Sequence, residues 1–318
     1  MGAISVVYPL GQVVVGLGLL FGNGAASYIS RLLGRGDKEN ANKVASTALY
    51  SSVSVGAVII IISMVFLHPI LKLLGATDSI LPFAATYASL YIVSCILNVF
   101  NVTMNNIVTS EGAAKTTMCA LLTGAVLNIA LDPLFIYVFN LGVAGAAIAT
   151  AISQAVSTCV YLTYIFRKKS VFHFRVKDCT YTKETMSEIF KIGIPTLVFQ
   201  ILTSVSISLI NNAAGDYGDS AIAGMGVVTR LISMGSLSVF GFIKGFQPIA
   251  GYSYGAKKFD RLREAIKTSI LWSTVFCVIF GVILALFPTA IVSQFTKGDA
   301  EMIRIGAASL RANGISII

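Results

Sequence analysis

One acidic residue lies well inside an apolar run. Asp132 falls in the stretch 116–139, with Asn128 four residues before it and Pro133 directly after. If that stretch is a helix, Asn128 and Asp132 share one face. The proline brings no amide hydrogen, so a carbonyl one turn earlier is left without its donor. A carboxylate, an amide oxygen and a free carbonyl are hard oxygen ligands, the set that suits Na⁺. Asp132 and Asn128 are therefore the candidate metal ligands, and the same carboxyl could hold a proton instead. An acid at membrane depth is expensive, which makes it a functional candidate by default. The bland alternative is that Asp132 only ties down the kink at Pro133.

Other polar residues in apolar runs carry weaker signals. Arg230 and Lys244 lie in the long run 219–250, where they could line a wet cavity or snorkel to the surface. The amides Asn98, Asn101, Asn105 and Asn106 cluster in the third run and read mainly as glue between helices. The five cysteines are scattered singly, with no CxxC pair and no disulfide framework. No HExxH, GxSxG, paired aspartates or nucleophile–base pair appears in the apolar runs, so the sequence does not read as an enzyme. The glycines around Gly11–Gly24 follow no strand and are close-packing residues rather than a dinucleotide fingerprint.

What must position Asp132 follows from composition. Hydrophobic residues make up 56% of the chain and charged ones 12%, with a mean hydropathy of +0.83. A soluble domain carries roughly 25% charged residues. Apolar runs at about 1–33, 44–67, 80–108, 116–139, 143–166, 191–214, 219–250 and 264–295, and another from about 300, approach or exceed the ~20 residues that cross a bilayer. Backbone in lipid must satisfy its own hydrogen bonds, so these are helices. The net charge of +9 sits in short clusters between the runs, which fits loops beside anionic lipid and not a surface for nucleic acid.

Basic residues alternate from loop to loop. Arg31, Arg35, Lys38 and Lys43 mark the first connection, Lys72 alone the second, and Lys115 the third. Asn140–Gly142 has none, whereas Arg167, Lys168, Lys169, Arg175, Lys177, Lys183 and Lys191 follow the fifth run. The segment 215–220 has none, and Lys257, Lys258, Arg261, Arg263 and Lys267 come next. The positive-inside rule places loops 34–43, 167–190 and 255–263 in the cytoplasm of a multi-pass protein of the cell membrane.

The segments Gly22–Asp37 and Gly241–Ala256 are two copies of one pattern, each a Gly-rich run closing on a glycine, Gly34 or Gly255, before a basic loop. The same spacing of 221 (34 to 255) puts Gly75–Asp78 on Thr296–Asp299. The copies predict an all-α membrane protein, a two-lobed bundle built from a parallel repeat of six transmembrane helices, twelve in full and about nine present here. The lobes are 1–166 and 191–318, joined by a linker at 167–190. On this reading a helix is expected before Met1 and further helices after Ile318.

The run Asn128–Ile136, with Gly142–Thr150, Ser30–Asp37, Glu111-Gly112, Gly193–Pro195 and Gln247–Ala256, resembles the multidrug and toxic compound extrusion (MATE) family. Within it the likeness is to the branch named for a DNA-damage-inducible protein. The resemblance implies monomeric antiporters that exchange small amphipathic, often cationic drugs for Na⁺ or H⁺ across the bilayer by alternating access, with no other cofactor. It implies a cation site of Asn128, Asp132 and Thr150 together with an aspartate of a preceding helix. It places Asn105 and Gln154 near the drug pocket. The chain departs from the family at Thr109, where an arginine is common. A lipid-linked oligosaccharide flippase of the same superfamily is the alternative, for which Arg230 and Lys244 are the only cavity bases on offer.

Overall fold

The computed structural model describes residues 2–73, 81–215, 219–295 and 300–317. Among these the secondary structure is helical, in the order α1 (Gly2–Gly34), α2 (Lys38–Val65), α3 (Leu67–Leu73), α4 (Leu81–Ser110), α5 (Ala114–Pro133), α6 (Gly142–Phe166), α7 (Lys183–Gly215), α8 (Asp219–Gly255), α9 (Phe259–Leu286), α10 (Pro288–Ser293) and α11 (Ala300–Ile317). Among the described residues eight helices are long and apolar enough to cross a membrane, matching the first eight runs. The run from about 300 forms α11 but is not among those eight. The run 264–295 is not one helix: it breaks at Phe287 into α9 and α10. Side chains such as Leu121, Val126 and Ile129 on α5 and Leu271, Trp272 and Ile279 on α9 stay exposed, as lipid-facing residues should.

The repeat is written into the helix boundaries. α2 and α9 both run for 28 residues and start 221 positions apart, at Lys38 and Phe259. Each ends on a phenylalanine, Phe66 or Phe287, whose amide donates to Ile62 O or Ile283 O at 2.9 and 3.0 Å. A short helix then restarts at once, with Ile70 N on Phe66 O and Ile291 N on Phe287 O. Upstream, Gly36 and Lys257 both take a left-handed backbone, at φ 83° and 56°. These two residues make the turn that was expected at Gly34 and Gly255. The pairing of Gly75–Asp78 with Thr296–Asp299 lies outside the described residues.

Gly34 and Gly255 do something else. A Cβ on Gly34 would strike Tyr252 O, and a Cβ on Gly255 would strike Arg31 O. Residues 31 and 252 are themselves repeat partners, so the contact is reciprocal. Gly251 completes the crossing against the Ser30 side chain. Only residues without a side chain let these two helix ends approach backbone to backbone.

The chain forms two compact units: Met1–Leu202 with Gly251–Lys257, and Thr203–Ala250 with Lys258–Ile318. In the first, α1 is the central strut, and its glycines let neighbours in. Gly18 and Gly22 face Val102 and Thr103 of α4, while Gly24 faces Ile189 O of α7. The main core joins Phe21, Ile29 and Val44 to Met104, Ile107, Tyr161, Phe172 and Phe174. The second unit has a smaller core of Val228, Leu284, Val292 and Leu310. α7 starts at Lys183, within the stretch taken as linker, and its first part packs in the first unit.

Candidate cation and substrate site

α5 carries Asn128 and Asp132, and local sequence fixes how it ends. Pro133 closes the α-helix, and Leu134–Val138 continue as one wide π turn, with Phe139 N donating to Leu134 O at 3.0 Å. Such turns loosen the regular carbonyl ladder and cluster at functional sites. Gly145 of α6 allows the close approach there, since a Cβ would meet Phe135 C and O at 2.8 Å. Further along, Gly124 seats Ser157, whose hydroxyl donates to Ala120 O at 3.0 Å. Two glycine contacts thus lock α5 onto α6 on either side of the acid.

Asn128 Nδ2 donates to Asp132 Oδ1 at 3.2 Å, so the pair predicted from spacing does meet. Both residues are half-buried, and Tyr87 of α4 lies within Coulombic reach of the Asp132 carboxyl. The remaining oxygen, Asp132 Oδ2, and the Asn128 carbonyl are the donors this pair can offer a cation. Thr150 is a different case. Its Oγ1 donates to Ala146 O of its own helix at 2.9 Å, so the side chain is turned to the backbone and not to Asp132.

Asn105 and Gln154 sit in a second polar group between α4 and α6. Asn105 Nδ2 donates to the Tyr161 hydroxyl at 3.3 Å. Asn101 Nδ2 donates to Gln154 Oε1 at 2.7 Å and to Gln154 O at 2.9 Å, and Thr158 Oγ1 donates to Asn101 Oδ1 at 2.9 Å. Asn101 is glue, as expected, and the residue it glues is Gln154. Asn106 instead bonds Val102 O of its own helix. Sequence reasoning missed Tyr87, Tyr161 and Thr158. Their tie to the site runs between helices and leaves no local spacing to read. Arg230 is exposed and Lys244 half-buried, both on α8 in the second unit. Among the described residues no three His, Cys, Asp or Glu side chains cluster to hold a metal.

A helical membrane protein with an internal repeat, and an amide–carboxylate pair where a spanning helix widens, has the makings of a membrane transporter. Comparison with known proteins is specific. The MatE family model matches residues 1–134 and 195–318. The multidrug export protein MepA of Staphylococcus aureus is 32% identical over 324 residues, covering 100% of this chain and 72% of that protein. MepA of Staphylococcus saprophyticus is equally similar, at 32% with the same coverage. A crystal structure of a MATE protein in the straight conformation superposes with a TM-score of 0.92 at 26% identity, over 99% of this chain and 71% of that one. An outward-facing multidrug resistance MATE transporter gives 0.92 and 26%, over 99% and 70%. The chain belongs to the MATE family of membrane transporters.

Proposed function

We propose that this chain works as a secondary multidrug exporter of the DNA-damage-inducible-protein branch, exchanging amphipathic, often cationic compounds for Na⁺ or H⁺. Its similarity to MepA, named as a multidrug export protein, supports the substrate class. The observation that carries the coupling is the Asn128–Asp132 contact at the start of the π turn. Cation binding there would draw Asp132 Oδ2, the Asn128 oxygen and the Thr150 hydroxyl together, the last by turning away from Ala146 O. Because α5 is locked to α6 at Gly124 and Gly145, such a rearrangement moves both helices. It thereby reaches Gln154 and, through Asn101, α4 with Asn105. A cation shifts the transport cycle only by its different affinity for the two states, and a site whose ligands must reorient supplies that difference. The protein acts as a monomer in the cell membrane, with loops 34–43, 167–190 and 255–263 on the cytoplasmic side.

The test is cation-driven efflux of a cationic dye from proteoliposomes, under an imposed Na⁺ or H⁺ gradient. Asp132→Asn should lower gradient-driven efflux by at least about tenfold, the loss expected when a transition is deprived of ~1.4 kcal/mol of driving interaction. Efflux equal to that of the unmodified chain in the variant would remove Asp132 from the coupling.

A further inference from the structure

The segment joining α6 to α7 is held far more firmly than a tether requires. Ser170 Oγ and Val171 N donate to Glu111 Oε2 at 3.0 and 2.9 Å. His173 N donates to Asn42 Oδ1 at 2.7 Å, and Tyr50 donates its hydroxyl to Phe174 O at 3.0 Å. Asn42 Nδ2 reaches Asp178 Oδ2 at 2.8 Å, and Thr180 N reaches Thr47 Oγ1 at 2.8 Å. The rings of Phe172 and Phe174 are buried in the main core, edge to face at 5.9 Å. Phe174 and Lys168 both keep left-handed backbones, at φ 48° and 53°. A non-glycine residue stays in that region only where its surroundings insist on it.

With so many groups turned inward, the outward face is set. Arg167, Lys168, Lys169, Arg175 and Lys177 are all exposed, and the two acids against the strap, Glu111 and Asp178, are held by Ser170, Val171 and Asn42. Between and beside these bases stand exposed Phe166, Val176 and Tyr181, at 77%, 68% and 63%. The strap leaves the last turn of one spanning helix and enters the first turn of the next, so it lies at the level where a bilayer ends. A face meant only for water has no use for three bare apolar side chains among five cations. Rings and aliphatic groups interleaved with bases at that depth match the interface of an anionic membrane.

We propose that the outward face of residues 166–181 is a pre-ordered binding surface for anionic phospholipid headgroups of the leaflet at which α6 ends. Arg167, Lys168, Lys169, Arg175 and Lys177 take the phosphates, while Phe166, Val176 and Tyr181 settle between them. The anchors on α2 and on the α4–α5 turn hold the cations in one arrangement, so little order is lost on binding.

The probe is phosphatidylglycerol against phosphatidylcholine of the same acyl chains, added to the purified full chain in detergent, with bound lipids counted by native mass spectrometry. The intact chain should retain phosphatidylglycerol preferentially. The variant Lys168→Gln/Lys169→Gln/Arg175→Gln/Lys177→Gln should lose that preference by about tenfold or more, since each base near such a surface is worth on the order of a fivefold change. A control of equal charge, Lys257→Gln/Lys258→Gln/Arg261→Gln/Arg263→Gln, should keep it. Equal loss in both variants, or no preference in the intact chain, overturns the proposal. Tyr50→Phe with Asn42→Ala loosens the strap without touching its charge, and should weaken the preference. Full retention there would overturn the claim that the strap is pre-ordered. None of these readouts depends on transport, so they stand or fall apart from the drug-export reading.

Discussion

Glu111 sits in the turn between α4 and α5 with one oxygen doing all the visible work. Oε2 takes two hydrogen bonds from the strap, while Oε1 is buried without a partner. Burial pushes its carboxyl above the ordinary glutamate range, and outweighs the pull of the Val171 amide and the Tyr164 and Ser170 hydroxyls in the other direction. An acid whose folded pKa is raised contributes most stability below its unfolded value, and loses that share as pH rises through the folded one. Thermal melts across pH 4–8 should therefore show stability falling through that window. Glu111→Gln should flatten this part of the profile and melt a few degrees higher at its alkaline end. Parallel profiles for the two proteins would show that the carboxyl stays charged. At this scale the sequence was half legible. Asn128 and Asp132 could be paired from spacing because a helix brings i and i+4 together, and the structure joins them. Thr150, Tyr87 and the Gln154–Asn101 bond could not be placed, because rotamer choice and inter-helix neighbours have no local pattern.

Helices meet here through missing side chains. At the crossing of α1 and α8 the atoms facing Gly34 and Gly255 are backbone, which cannot swing aside. Gly255→Ala or Gly34→Ala should then cost ~1–3 kcal/mol, the usual range for overpacking a close contact, and lower the melting temperature accordingly. Gly241→Ala makes the contrast, since nothing lies within 4 Å of its Cβ. That change should be neutral, or stabilising by up to about 1 kcal/mol from helix propensity. Equal melting temperatures for Gly255→Ala and Gly241→Ala would contradict the backbone contact. Spans were the most legible elements, because a bilayer demands long apolar helices whatever their neighbours. Their ends were not. The end at Phe66 falls where the run 44–67 stops, but the break at Phe287 lies inside the run 264–295, where hydropathy does not change. The extension of α7 back to Lys183 is charged and escaped the same search.

For the whole molecule the outstanding prediction is sidedness. The loop bases alternate rich and poor, with the 167–183 segment richest and Asn140–Gly142 empty. In a background with the five cysteines replaced by alanine, Lys177→Cys should react with a membrane-impermeant maleimide only after cells are permeabilised. Asn140→Cys, exposed in the turn before α6, should react in intact cells. The reverse pattern would invert the proposed topology. The repeat was legible at this scale too, from the glycine motifs at Gly34 and Gly255 and the turns at Gly75–Asp78 and Thr296–Asp299 in one register. Its reach through α2 and α9 was not, since few residues match across the pair: Lys38 stands opposite Phe259, Ser51 opposite Trp272 and Ile60 opposite Gly281.

The reciprocal meeting of Gly34 with Tyr252 and of Gly255 with Arg31 has the form of an isologous contact, in which residue i touches j and j's counterpart touches i's. Two identical subunits related by a dyad make such contacts, because one surface then serves both sides. A half-length ancestor pairing with a second copy of itself would have needed only a single Gly-for-close-approach solution to build it. In one chain the two halves of that contact are held together by the sequence itself, and both are present at once. The two glycines therefore work as one: a side chain at either position meets backbone and spoils a contact that needs both.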